Sequence, residues 1–148
     1  MPGEVTVWDS NVLIPLILPR SKSFALYSRL DNAGWIISAT PAILEEVREK
    51  LETKPSLRKW LALSDDDIAE FVNRVLPALV RVYPGVVTAT GAVPDDPDDD
   101  VVIAAAIESQ AKYIVSEDRH LLSLGNYAGI NILNRDEFRT ELDRLGVP

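Results

Sequence analysis

Short apolar runs of β-type alternate along this chain with longer stretches of helical spacing, and that alternation admits few folds. Val5, Val7 and Trp8 form a strand-like run that stops at Asp9. Residues 22–33 follow with Phe24, Leu26, Tyr27 and Leu30 at helical spacing and Gly34 as the stop. Trp35, Ile36 and Ile37 read as a second buried strand. Thr40 and Pro41 open a helix to about Leu51, with Thr40 at the N-cap and Pro41 in the first turn. Residues 56–63 form a short helix. The run Ser64-Asp65-Asp66-Asp67 caps a longer one, whose apolar face is Ile68, Phe71, Val72, Val75, Leu76, Leu79 and Val80, with a kink expected at Pro77. Residues 85–88 are a third strand candidate and residues 98–112 a helix with an acidic first turn. Tyr113, Ile114 and Val115 make a fourth strand that ends at Ser116-Glu117-Asp118. A short helix over 119–124, a fifth strand over 130–133 and a last helix over 135–145, capped by Asn134, complete the chain. Strands alternating with helices imply a mainly parallel sheet of about five strands covered on both faces, a three-layer α/β/α sandwich.

The 148 residues suit one domain, 1–148, and the 47% apolar content suffices for a core. There is no repeat and no flexible linker. The only strong compositional break is the Pro/Asp-rich stretch 93–100, read as a loop within that domain. The chain lacks cysteine, which removes disulfides and thiolate metal sites and fits a cytoplasmic location. No apolar run approaches the ~20 residues of a membrane helix, and the first residues carry no basic region typical of a secretion signal. A net charge of −8 argues against a module that binds nucleic acid through a basic face. It leaves room for a nuclease, because cations can bridge carboxylates to phosphate.

In parallel α/β sheets ligands bind beyond the carboxyl ends of the strands. Here the residues just past those ends are mostly acids. Asp9 follows the first strand, Glu45 and Glu46 lie in the helix after the second, Asp98, Asp99 and Asp100 open the helix before the fourth, and Asp118 follows the fourth. Each has an ordinary explanation as a turn former, an N-cap or an exposed helix residue. Together at one sheet edge they would repel one another and call for a cation. Oxygen-only ligands without His or Cys suit Mg²⁺ or Mn²⁺.

The four segments resemble those of the PIN-domain family: Val7-Trp8-Asp9-Ser10-Asn11-Val12-Leu13-Ile14, then Ile43-Leu44-Glu45-Glu46-Val47, then Asp96-Pro97-Asp98-Asp99-Asp100-Val101-Val102-Ile103-Ala104, then Tyr113-Ile114-Val115-Ser116-Glu117-Asp118. They occur in the family's order and span most of the chain. The Asp-Pro-Asp-Asp-Asp form and the length resemble toxin components of toxin–antitoxin systems, near VapC-like toxins. The resemblance implies a Mg²⁺- or Mn²⁺-dependent endoribonuclease with Asp9, Glu46, Asp100 and Asp118 as the catalytic, metal-binding acids. Asp99 is an alternative to Asp100 and a further metal ligand, and Glu45 an alternative to Glu46. Asn11 and Ser116 match positions that orient Asp9 and Asp118. Ser116 stands where the family often has Thr. Arg119 is favoured for contact with RNA phosphate over Arg20, Lys22, Arg48 and Lys50. The resemblance also implies an antitoxin lying across the acid cleft, and a homodimer.

His120, the only histidine, reads as an exposed helix residue; Trp8 and Trp35 read as core, and Trp60 as a residue facing a partner. Two other Asp-using folds fit less well. A haloacid-dehalogenase-type phosphatase needs a second Asp where Asn11 stands, and a response-regulator receiver needs an acid pair at the first strand and a Lys after the last. A PIN-like module that binds without cutting is the non-enzymatic alternative.

Overall fold

The computed structural model describes residues 3–88, 90–93 and 96–148. Its elements run in the order β1 (Val5–Trp8), α1 (Ser10–Leu13), a 3₁₀ turn (Ile14–Ile17), α2 (Lys22–Asn32), β2 (Ile36–Ala39), α3 (Pro41–Thr53), α4 (Pro55–Leu61), α5 (Asp65–Glu70), a π-helical stretch (Phe71–Val75), α6 (Leu76–Leu79) and β3 (Arg81–Val82). There follow α7 (Pro97–Ser109), β4 (Tyr113–Val115), α8 (Arg119–Leu124), β5 (Asn126–Tyr127), β6 (Ile130–Leu133) and α9 (Arg135–Arg144). The sheet order is β3-β2-β1-β4-β6-β5, parallel except for the β5–β6 pair. The fold is the expected α/β sandwich with a mostly parallel central sheet, and it has six strands where about five were anticipated.

Two strands depart from expectation. Residues 85–88 are not a strand. Val86 there is 74% exposed, and the Glu108 carboxylate accepts the N–H groups of Gly85 and Val87 at 2.9 and 3.0 Å, so their donors are spent off the sheet. The edge position is taken instead by Arg81 and Val82, paired with Ser38 and Ala39 of β2. The extra strand, β5, forms a tight hairpin with β6 through Ala128 and Gly129, both at positive φ, as the favoured two-residue hairpin turn requires. Pro94 and Asp95 of the Pro/Asp-rich stretch lie outside the described residues. The rest of that stretch is loop as far as Asp96, and its last residues already belong to α7.

The anticipated irregularity near Pro77 is present. Proline has no N–H to give to the preceding turn, and the π-helical stretch lies immediately before α6. Val7, Trp8, Ile114 and Val115 on the central strands are fully buried. Helix α7 packs on β1, β2 and β4, and Val102, Ile103, Ala104, Ala105 and Ala106 are all buried. The small alanines let its backbone approach the sheet, which sets where the acids of its first turn stand. On the other face α9 packs on β6 and α2, and buried Phe138 meets Tyr113 and Trp35 with ring centroids 5.6 and 6.2 Å away. Among the described residues no helix is long and apolar enough to cross a membrane.

Candidate active site

Chain order places β2 and β3 on one side of β1, and β4, β6 and β5 on the other. The crossover direction therefore reverses between β1 and β4, the point at which sheets of this kind place a ligand crevice beyond the strand ends. Asp9 and Ser116 stand just past those ends, both buried. Asp9 N–H donates to Val115 O at 2.9 Å and Ser116 N–H to Leu133 O at 3.0 Å, so sheet hydrogen bonding positions both backbones. The Asp9 carboxylate is buried. It accepts from Ser10 N–H at 2.7 Å through Oδ1 and from Ser116 Oγ at 2.7 Å through Oδ2. Burial raises its pKa, and the hydrogen bonds and Lys50 offset this only in part.

The same Ser116 Oγ accepts from Asp118 N–H at 3.0 Å, so one hydroxyl serves both acids. Asp118 also caps α8, its Oδ1 accepting from His120 N–H at 2.7 Å. Asn11 does not touch Asp9 through a hydrogen bond; its Oδ1 accepts from Glu117 N–H at 3.2 Å and ties the ends of β1 and β4 together.

Asp99 and Asp100 differ sharply, although they are neighbours. Asp100 is engaged away from the cluster. Its Oδ2 accepts from Thr90 N–H at 2.7 Å and its Oδ1 from the Thr90 hydroxyl. Burial alone would raise Asp100, but these bonds outweigh it and hold the carboxyl below its ordinary range. Asp99 is 4% exposed, and its Oδ2 is buried with no hydrogen-bond partner among the described residues. One ligand atom each from Asp96, Asp99, Asp118 and His120 lie within 4.8 Å of one another. Burial first, then the charges of Asp118 and Asp96, push Asp99 up to about 8.

Glu46 is half-buried beside this group. Lys50 Nζ lies 3.1 Å from Glu46 Oε1 and donates to Ser10 Oγ at 2.7 Å. Burial raises Glu46, and Asp9 and Asp98 add to the rise against the lowering effect of Lys50. Glu45 is exposed and pairs with Arg48 at 3.5 Å. Arg119 is exposed at the start of α8, and its side chain makes no ion pair among the described residues.

Asp96 and His120 join the cluster without having been singled out as site residues. Asp96 caps α7, its Oδ1 accepting from Asp99 N–H at 3.3 Å. Burial opposes ionisation of Asp96, but bonds from Asp99, His120 and Asp98 keep its carboxyl below the ordinary range. The imidazole Nδ1 of His120 lies 3.5 Å from Asp96 Oδ2. The available signal was that a cap residue points its carboxylate at the helix start, where the next acids also stand.

A buried carboxylate oxygen without a donor among the described residues, on a carboxyl pushed up by burial and neighbouring acids, fits a hard divalent cation. The donor set is oxygen-rich, with one exposed imidazole at its margin.

Fold and site together define an α/β sandwich with an acidic crevice at the reversal of strand order. A model of the PIN domain matches residues 5–120, and the chain belongs to the PIN-domain family. No curated protein matches the chain. Among solved structures it is similar to VapBC2 from Rickettsia felis bound to a DNA fragment from their promoter. That match has a TM-score of 0.59 at 10% identity and covers 88% of this chain and 98% of the other. It is similar also to PAE2754 from Pyrobaculum aerophilum, with a TM-score of 0.58 at 18% identity, covering 96% of this chain and 90% of that one. At these identities the likeness concerns the fold.

Proposed function

We propose that this chain is a divalent-metal-dependent endoribonuclease, the toxin of a toxin–antitoxin pair, with Asp9, Asp99 and Asp118 as its principal metal-binding acids. Family membership supports this, the acid cluster supports Asp99 and Asp118, and Asp9, outside that cluster, is joined to Asp118 through the Ser116 hydroxyl. The observation that carries it is the buried, partnerless Asp99 Oδ2 beside Asp96 and Asp118. Asp100 is assigned a structural role, because both its oxygens hold Thr90. Glu46 is retained as a flanking acid.

A bound Mg²⁺ or Mn²⁺ would neutralise phosphate charge and make water a better nucleophile. The chain's own residues prepare the place. Asp9, Asp99 and Asp118 supply oxygens from three different elements. Ser116 sets the orientation of Asp9 through its hydroxyl and of Asp118 through that residue's backbone. Lys50 restrains Glu46, and burial keeps bulk water from screening Asp9 and Asp99. The similarity to VapC-like toxins and to VapBC2 supports an antitoxin as partner, and the cysteine-free sequence a cytoplasmic location.

The test is cleavage of single-stranded RNA by the purified chain with Mg²⁺ or Mn²⁺, with EDTA, and with Asp99→Asn. Cleavage that needs the metal and Asp99 is expected. RNA binding without metal-dependent cleavage assigns the chain to the non-cutting modules, and phosphate release from small esters in place of RNA cleavage assigns a phosphatase.

A further inference from the structure

Beside the acid crevice the surface changes character. Trp60, in the last turn of α4, is 74% exposed, whereas Trp8 is fully buried. Two grooves meet at its indole. One, of about 610 Å³, is lined by Leu18, Pro19, Arg20 and Arg135. The other, of about 290 Å³, is lined by Asn11, Ile14, Lys50, Lys54 and Leu57. Pro15 and Trp60 line both, so the two adjoin at these side chains. The second reaches the acid crevice, because Asn11 holds the backbone of Glu117 and Lys50 touches Glu46.

The charge lining this channel runs against the whole chain. Acids outnumber Lys and Arg by 23 to 15, yet no carboxylate lines either groove. Four cations do: Arg20, Lys50, Lys54 and Arg135. Lys50 and Arg135 are engaged by Glu46 and Glu117, while Arg20 and Lys54 have no ion pair among the described residues. The occupant that fits is a polyanion carrying flat apolar faces. Single-stranded nucleic acid has both properties, and its unpaired bases are free to stack on an indole.

We propose that this channel is the track by which single-stranded RNA reaches the acid crevice, with Trp60 stacking one unpaired base and Arg20 and Lys54 neutralising adjacent phosphates. The identity of the polymer as RNA rests on the nuclease proposal above. A duplex keeps its bases stacked on one another and has no free face to offer Trp60.

The experiment measures binding of a fluorescein-labelled single-stranded oligoribonucleotide of about ten nucleotides by anisotropy, in EDTA so that no bond is cut. Trp60→Ala is expected to weaken binding about 5- to 150-fold, the range of one base–aromatic stack. Trp60→Phe is expected to keep most of the affinity, which separates stacking from folding. Arg20→Gln and Lys54→Gln are each expected to lower the salt slope by about one. Wild-type affinity in Trp60→Ala overturns the track. So does a wild-type dimer that Trp60→Ala converts to monomer in gel filtration with RNA binding unchanged; that result gives the groove to a second copy of the chain. A parallel cleavage assay in Mn²⁺ keeps the two proposals apart. Trp60-dependent binding without cleavage by the wild type supports the track and sinks the nuclease. Wild-type binding and cleavage by Trp60→Ala does the reverse.

Discussion

The hydroxyl of Ser116 donates to Asp9 Oδ2 at 2.7 Å and accepts the N–H of Asp118 at 3.0 Å, coupling two acids more than a hundred positions apart. Removing it leaves the Asp9 carboxylate with one hydrogen bond, from Ser10 N–H, and takes from Asp118 the acceptor of its backbone N–H. Ser116→Ala is expected to slow RNA cleavage about 10- to 100-fold, the usual effect of losing a group that orients a metal ligand. Ser116→Thr, which keeps the hydroxyl, is expected to retain activity. Steady-state rates at several Mn²⁺ concentrations check both, and equal losses in the two variants would assign Ser116 to packing.

Asp99 and Asp100 are separable by different readouts. Asp99→Asn is expected to cut cleavage on the order of 10²–10³-fold while the fold persists. Asp100→Asn takes an acceptor from Thr90 and is expected to cost about 1–3 kcal/mol of stability, seen in urea melts, with Thr90→Val showing a similar loss. Should Asp100→Asn abolish cleavage without lowering stability, the roles of the two acids are exchanged.

Metal binding is expected to stabilise the chain as well as activate it. At a hundred times its dissociation constant, Mn²⁺ should add about 2.7 kcal/mol. Thermal melts with Mn²⁺ and with EDTA check this, and Asp99→Asn should remove most of the difference. A metal-induced shift that survives in Asp99→Asn places the ion elsewhere.

Asp99 also gives the metal-free chain a pH dependence. Its carboxyl is pushed up to about 8 in the folded state, from an ordinary 3.8, by burial and then by Asp118 and Asp96. Between these values the folded chain binds more protons than the unfolded one, so stability falls as pH rises. Its contribution is fully present below about pH 4 and lost by about pH 8. In EDTA, Asp99→Asn should therefore melt above the wild type at pH 8, with the gap closing towards pH 4. A constant gap across that range contradicts it.

Much of the fold was legible because burial imposes a period. Val7, Ile37, Ile114 and Ile132 are each buried, and each lies in or beside an apolar run that sequence alone marks. The edges were not legible. Arg81 and Val82 are exposed and only two residues long, so β3 has no apolar signature, whereas Val86 and Val87 have one yet lie outside the sheet, Val86 exposed. In the candidate site, Asp9 and Asp118 stand out as residues beyond strand ends. The choice between Asp99 and Asp100 does not, because successive helix residues point about 100° apart and only packing of α7 decides which one faces the crevice. That Asp100 would be taken by Thr90 depends on a loop without periodicity.

The pairing of β1 with β4 has a consequence for synthesis. Thr6, Val7 and Trp8 find Tyr113, Ile114 and Val115 only once the chain has been made as far as β4. A nascent or prematurely terminated chain ending before Asp96 carries Asp9 and Glu46 but none of the clustered Asp96, Asp99, Asp118 and His120. Such fragments are inert towards RNA in the proposed scheme, which needs Asp99 and Asp118 together with Asp9.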